Sequence, residues 1–114
     1  MNKIERIDTV LAGEVPDRPP ISLWYHFGLQ HADGAALARA SLEYFHHYDF
    51  DFLKVMNDYF YPSHPGMVAI KTAADLKHIG PLKLEETEWA QQFRALEVIA
   101  KELRDRAFFI DTVF

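Results

Sequence analysis

Between Asn2 and Leu11 the apolar side chains fall at Ile4, Ile7, Val10 and Leu11, the spacing of one helical face. Asn2 followed by Glu5 is the mark of a capping box, and Gly13 supplies a stop. The stretch Gly13-Glu-Val-Pro-Asp-Arg-Pro-Pro20 holds too many prolines for a regular element. From Ile21 to Phe27 large aliphatic and aromatic residues dominate, which predicts a buried strand. Asp33 is placed to cap a helix from Gly34 to about Tyr48 that turns Leu37, Ala40, Tyr44 and Tyr48 inward. Phe50 to Met56 reads as a second strand. An aromatic, turn-forming loop follows, with a short strand expected near Met67 to Ile70. Thr72 and Asp75 bracket a short helix through His78 that Gly80-Pro81 ends. Thr87 is expected to cap a last helix whose stripe is Trp89, Phe93, Leu96, Ala100 and Leu103. Ala107 to Phe114 is a third strand.

Strands alternating with helices predict an α/β chain with a parallel sheet. At 114 residues there is room for one domain, and 49% hydrophobic residues are ample for a core. The 12 Lys and Arg against 17 Asp and Glu give a net charge of −5, which argues against nucleic acid and anionic membrane as partners. The absence of Cys removes disulfides, thiolate nucleophiles and Cys-based zinc or iron–sulfur sites. No apolar run approaches the ~20 residues of a membrane span. The start, Met-Asn-Lys-Ile-Glu-Arg, lacks the apolar core of a signal peptide, so a cytoplasmic protein is expected. No glycine-rich phosphate motif follows any strand, and Rossmann or P-loop nucleotide binding is unsupported.

Asn57 and Asp58 lie just beyond the C-terminal end of the second strand. Asp58 reads either as a loop carboxylate capping a turn or as a site residue. His26, at the end of the first strand, could face the same rim or be a hydrogen-bonded core histidine. Trp24 and Tyr25 suit packing, or stacking on a planar ligand. Tyr59, Phe60, Tyr61 and His64 could wall a pocket or simply cover the sheet's end. His46-His47 project about 100° apart on a helix and cannot easily share one ion. Asp49 and Asp51 lack a third ligand, and a solvated strand entrance is expected there. Lys54 in an apolar strand needs a partner, such as Asp58 or another carboxylate. Asp111 is equally a buried polar partner or a ligand contact. The third strand leaves an apolar parallel edge open. The expectation is a front portion of a larger α/β protein, or self-association through that edge.

Taken together, Leu11-Ala-Gly-Glu-Val-Pro-Asp-Arg-Pro-Pro-Ile21, Tyr48-Asp-Phe-Asp-Phe-Leu-Lys-Val-Met-Asn-Asp58, Ala74-Asp-Leu76 and Gln92–Arg104 leading into Phe108-Phe-Ile-Asp-Thr-Val-Phe114 resemble the N-terminal third of the uroporphyrinogen decarboxylase superfamily. The resemblance implies that residues 1–114 are one partial domain. They would be the parallel-strand N-terminal portion of a (β/α)8 TIM barrel, with about three of its strands. Barrel sites gather at the C-terminal rim. Asp58 matches the family's catalytic aspartate, which accepts hydrogen bonds from pyrrole N–H groups and stabilises a cationic ring intermediate. His26, Trp24, Tyr59, Tyr61 and His64 would line the substrate site. The family's Met-Arg-Gln-Ala-Gly-Arg segment is here Trp24-Tyr-His-Phe-Gly-Leu29, without the arginines that hold substrate carboxylates. The implied activity is therefore decarboxylation of a small, tetrapyrrole-like substrate without a cofactor or metal. The alternative is methyl transfer by the corrinoid-dependent branch, with a corrinoid or zinc. The 114-residue chain alone is expected to be inactive, and a non-catalytic piece that docks on a complementary chain is the reading from a different class.

Overall fold

The computed structural model describes residues 1–62 and 69–113. Helix α1 spans Lys3–Leu11 and opens with the expected capping box. Asn2 Oδ1 accepts from Glu5 N at 2.9 Å, and Asn2 N donates to Glu5 Oε2 at 2.8 Å. Gly13, at φ 77°, takes the left-handed turn that ends it. The buried face follows the apolar pattern only in part, with Ile4 and Ile7 half-buried. Val10 and Leu11 are exposed, whereas Arg6 is buried. Its guanidinium holds Asp17 through Nε and Nη2 at 2.7 and 2.8 Å and reaches Asp51 through Nη1 at 2.7 Å.

Helix α2 spans Gly34–His47, with Asp33 Oδ1 accepting from Ala36 N at 2.8 Å as the cap. Its inner face is Leu37, Ala38, Ser41 and Phe45, whereas the expected Tyr48 lies exposed beyond the last turn. Strand β1 is Leu53–Val55 and β2 is Phe109–Asp111. They pair in parallel with Leu53 opposite Phe109, Lys54 opposite Ile110 and Val55 opposite Asp111. Between them runs α3, Trp89–Leu103, the crossover that parallel neighbours require. Leu53 and Val55 face the helices and join Leu37, Ala38, Phe45, Ala95, Ile99 and Leu103 in the core. The chain is thus mixed helix and strand with a two-stranded parallel sheet.

Several expectations change. Thr87 does not cap α3; its hydroxyl donates to Leu84 O at 2.8 Å, closing a short 3-10 turn, Leu84–Glu86. The buried stripe of α3 is Gln92, Ala95, Ile99 and Leu103, and Phe93 is exposed, so the true stripe is offset from the apolar pattern. Thr72 and Asp75 do start a helical segment, Ala73–His78, but it is 3-10. The strand expected near Met67 falls partly outside the described residues, and Ala69 and Ile70 are exposed and irregular.

The largest departure is Ile21–Phe27, which forms no strand. Ile21, Leu23, Trp24 and Tyr25 are all exposed. The segment nevertheless runs beside β1 in the same direction. Ile21 O accepts from Asp51 N, Ile21 N donates to the Asp51 carboxylate, and Phe27 N donates to that of Asp58. Nothing described packs over its outer side, so apolar burial does not reward a full ladder. The molecule is correspondingly open. Its radius of gyration is 17.7 Å, against ~13 Å for a compact chain of this length. No helix among the described residues is long and apolar enough to cross a membrane.

Candidate functional site

Strands that run parallel bring their C-terminal ends to one edge, and the residues just beyond those ends converge there. Asp58 follows β1 by three residues. Its carboxylate is nearly enclosed, with the side chain 4% exposed, and both oxygens are engaged. Oδ1 lies 2.6 Å from His26 Nδ1, and Oδ2 accepts from Phe27 N at 3.1 Å. The two residues thus meet as the matching ends of two side-by-side segments. His26 is 47% exposed, so the imidazole rather than the carboxylate meets solvent. With Nδ1–H donated to Asp58, the tautomer is set and Nε2 becomes the basic nitrogen. The pair can therefore take up and release a proton without moving its heavy atoms.

A cleft of ≈ 460 Å³ opens over this pair, lined by His26, Gly28, Gln30, Asn57, Asp58, Tyr59, Phe60 and Tyr61. Of the expected site residues, His26, Asp58, Tyr59 and Tyr61 share this cleft. Trp24 does not line it but stands next to it, its ring edge-on to His26 with centroids 5.5 Å apart. His64 lies outside the described residues. Tyr59 is turned inward: its hydroxyl donates to Ala32 O at 3.1 Å, its N–H donates to Asn57 Oδ1 at 3.0 Å, and burial pushes its phenol above the usual tyrosine range. It is a wall, and Asn57 shapes the turn that delivers it. Tyr61 packs on Trp89, with centroids 4.8 Å apart. Gly28, at φ 69°, makes the bend that takes the chain from His26 around the rim, a conformation that other residues adopt at a cost. Gln30 carries no sequence signal that would have found it.

The remaining candidates separate by place. Lys54 does not pair with Asp58; its Nζ lies 5.7 Å from the Trp24 ring centroid. Asp111 finds a protein partner, with Oδ1 accepting from Gln92 Nε2 at 2.8 Å. It shares the helix-facing side of the sheet with Val55 and is not part of the cleft lining. The strand entrance is not solvated at Asp51. That carboxylate is 1% exposed and accepts from Arg6, from both Arg18 terminal nitrogens and from Ile21 N. The apolar pattern could not reveal this cluster, although Asp17-Arg18 between prolines and Arg6 on α1 were the charges available to form it.

No family model matches the chain, and no curated protein or solved structure matches it either.

Proposed function

We propose that this chain is the first portion of a (β/α)8 barrel enzyme of the uroporphyrinogen decarboxylase type, in which His26 and Asp58 form the working acid–base pair. The 2.6 Å contact between an enclosed Asp58 and a half-exposed His26, at the C-terminal end of β1 and facing a cleft, carries this reading. The parallel pairing of β1 with β2 across α3 and the sequence resemblance support it.

The chemistry asks for such a pair. His26, as imidazolium, gives a proton to the α-carbon of a pyrrole-type ring, next to the ring carbon that bears a carboxymethyl group. The ring nitrogen takes the positive charge, and Asp58 sits where that charge is favoured. The bond to the carboxylate then breaks, its electrons neutralise the ring, and carbon dioxide leaves. Protonation of the exocyclic carbon, with the first proton returned from the ring carbon to His26, yields the methyl product, so one proton is consumed for each carbon dioxide released. No cofactor enters these steps. The uncovered apolar face of the sheet and of Ile21–Phe27 would take the remaining strands.

One observation favours a second reading. The cleft lining contains neither Arg nor Lys, which suits a substrate poor in carboxylates and hence the methyl-transfer branch. The described residues gather no group of three or more His, Cys, Asp or Glu able to hold a metal.

Replacing Asp58 by Asn or His26 by Gln in the intact protein should lower carbon dioxide release from uroporphyrinogen or a pyrrole-3-acetate by roughly 10²–10⁴-fold, with the circular dichroism spectrum unchanged. Turnover equal to wild type in either variant overturns the assignment. Methyl transfer to or from a corrinoid, with no carbon dioxide released, selects the second reading.

A further inference from the structure

One hydrogen-bond donor in the cleft is used neither by the turn it helps to build nor by the acid–base pair. Asn57 lies two residues beyond β1 and is only 7% exposed, yet it lines the cleft. Its Oδ1 accepts from Tyr59 N at 3.0 Å. A backbone N–H bonds only to the oxygen of an amide, so this contact also fixes which end of the side chain is which. Nδ2 donates to no described residue. Nor is it sealed off, because the buried side-chain polar atoms without a partner among the described residues are Ser22 Oγ, Trp89 Nε1 and Gln92 Oε1. A buried amide whose oxygen is held, and whose nitrogen is both unpaired and accessible, presents its N–H groups to the cleft that it lines.

The frame around this donor is firm. Tyr59 is buried, and its hydroxyl donates to Ala32 O at 3.1 Å, which ties residues 57–61 to the chain that follows Gly28 and Gln30. The amide therefore needs no reordering when a ligand arrives. Charge near it is sparse. The lining holds neither Arg nor Lys, and Asp58 keeps its carboxylate turned to His26 and to Phe27 N. A carboxylate brought to Nδ2 would lose its hydration next to Asp58 with no lysine or arginine to offset the loss. A neutral carbonyl gives up far less and gains the same hydrogen bond. Phe60 and Tyr61 add aromatic wall, and ≈ 460 Å³ suits a small ring-bearing molecule.

We infer that Asn57 is a ligand-binding residue of the cleft, and that its Nδ2–H groups bind an uncharged carbonyl oxygen on a small aromatic molecule. One side chain then has two tasks, its oxygen building the turn and its nitrogen reading the ligand. The inference draws on the geometry of the cleft and does not require His26 and Asp58 to move a proton.

Acetophenone and benzoate test this, since both carry a carbonyl on a benzene ring and only benzoate is charged. Titrated into the intact protein and followed by NMR, acetophenone should bind with a Kd of about 1 mM, the range open to so small a molecule. Benzoate should bind about tenfold more weakly. Asn57→Asp keeps the oxygen that Tyr59 N–H needs and turns the donor into an acceptor, whereas Asn57→Ser keeps an oxygen and removes the nitrogen. Each should weaken acetophenone about fivefold, the size of one hydrogen bond, with hydrogen exchange at the Tyr59 amide unchanged in Asn57→Asp. Benzoate binding as tightly as acetophenone, no acetophenone binding at all, or wild-type affinity in both variants each overturns the inference, and the first two need no variant to fold. Acetophenone has no carboxylate to release, so these outcomes are independent of the decarboxylation proposed above, which stands or falls on its own test.

Discussion

Asp111 sits half-buried at the end of β2, and its environment is lopsided. Burial pushes its carboxyl above the usual aspartate range, against the hydrogen bonds from Gln92 and from Thr112 N that favour the ionised form. On the other side of that contact, Gln92 Oε1 is buried with no hydrogen-bond partner among the described residues. An ionised carboxylate cannot donate to it, but a protonated carboxyl or an amide can. Asp111→Asn keeps an acceptor for Gln92 Nε2 and adds a donor for Gln92 Oε1. The variant should gain ~1 kcal/mol at pH 7 from the newly satisfied acceptor. That gain corresponds to about 4–8 °C in Tm for a small domain. The sign with pH follows from the raised pKa. The folded state holds its proton to higher pH than the unfolded state does, so wild-type stability declines as pH rises from the unfolded value through the folded one. The advantage of the Asn variant should therefore shrink as pH falls towards the unfolded value near 3.9, below which Asp111 is protonated in both states. Thermal melts at pH 7 and pH 4 check this, and a constant difference between them would remove Asp111 ionisation as the cause.

Helices α2 and α3 pack backbone to backbone at Gly34, the first residue of α2. A Cβ added there would lie 2.1 Å from Gln91 O and 2.9 Å from both Ala95 N and Arg94 Cβ. Gly34 N also donates to Gln91 Oε1 at 2.8 Å. Because the obstructing atoms are mostly backbone, they cannot swing aside. Gly34→Ala should cost at least ~1–3 kcal/mol by forcing the helices apart, measurable by urea unfolding; a cost under ~0.5 kcal/mol would mean that the helices slide freely. The element boundaries that were legible in the sequence are those set by local chemistry. The box at Asn2 and Glu5, the cap at Asp33, the stops at Gly13 and Gly80, and Asp58 just beyond β1 all follow from side chains within a few residues of the backbone they serve. What could not be read depends on distant partners. Phe93 is as apolar as Ile99, yet only Ile99 meets α2 and the sheet. Ile21–Phe27 has the composition of a buried strand but lacks anything described over its outer side. A shared rim for His26 and Asp58 could be read from their strand-end positions, but their direct contact across 32 positions could not.

Ion pairs close the opposite end of the molecule from the cleft and determine how it answers acid. Arg6 of α1, Asp17 and Arg18 of the proline-rich loop and Asp51 before β1 form one connected group, and Lys3 makes a separate pair with Asp49. The Arg6 guanidinium holds Asp17 far below the ordinary carboxylate range, and the Lys3 ammonium lowers Asp49. For Asp51 burial works the other way, but the donors Arg18, Ile21 N and Arg6 outweigh it and the net shift is downward. Carboxyls with lowered folded-state pKa values stabilise the fold above their unfolded value, near 3.9. They lose that contribution as pH falls through the folded values. Stability measured by chemical denaturation should therefore be flat near neutrality on account of this group and should drop below about pH 4. Asp51→Asn leaves two guanidinium groups facing a neutral amide, and breaking a buried pair in this way costs ~3–5 kcal/mol. It should also flatten the acid limb. A second consequence is specific to this fold. Ile21–Phe27 is tied to Asp51 at one end and to Asp58 at the other, so loosening the first tie should loosen the second. Hydrogen exchange at the Phe27 amide should accelerate in Asp51→Asn even though that amide lies at the far end of the segment. An unchanged Phe27 exchange rate would show that Asp58 holds His26 without help from the charged cluster.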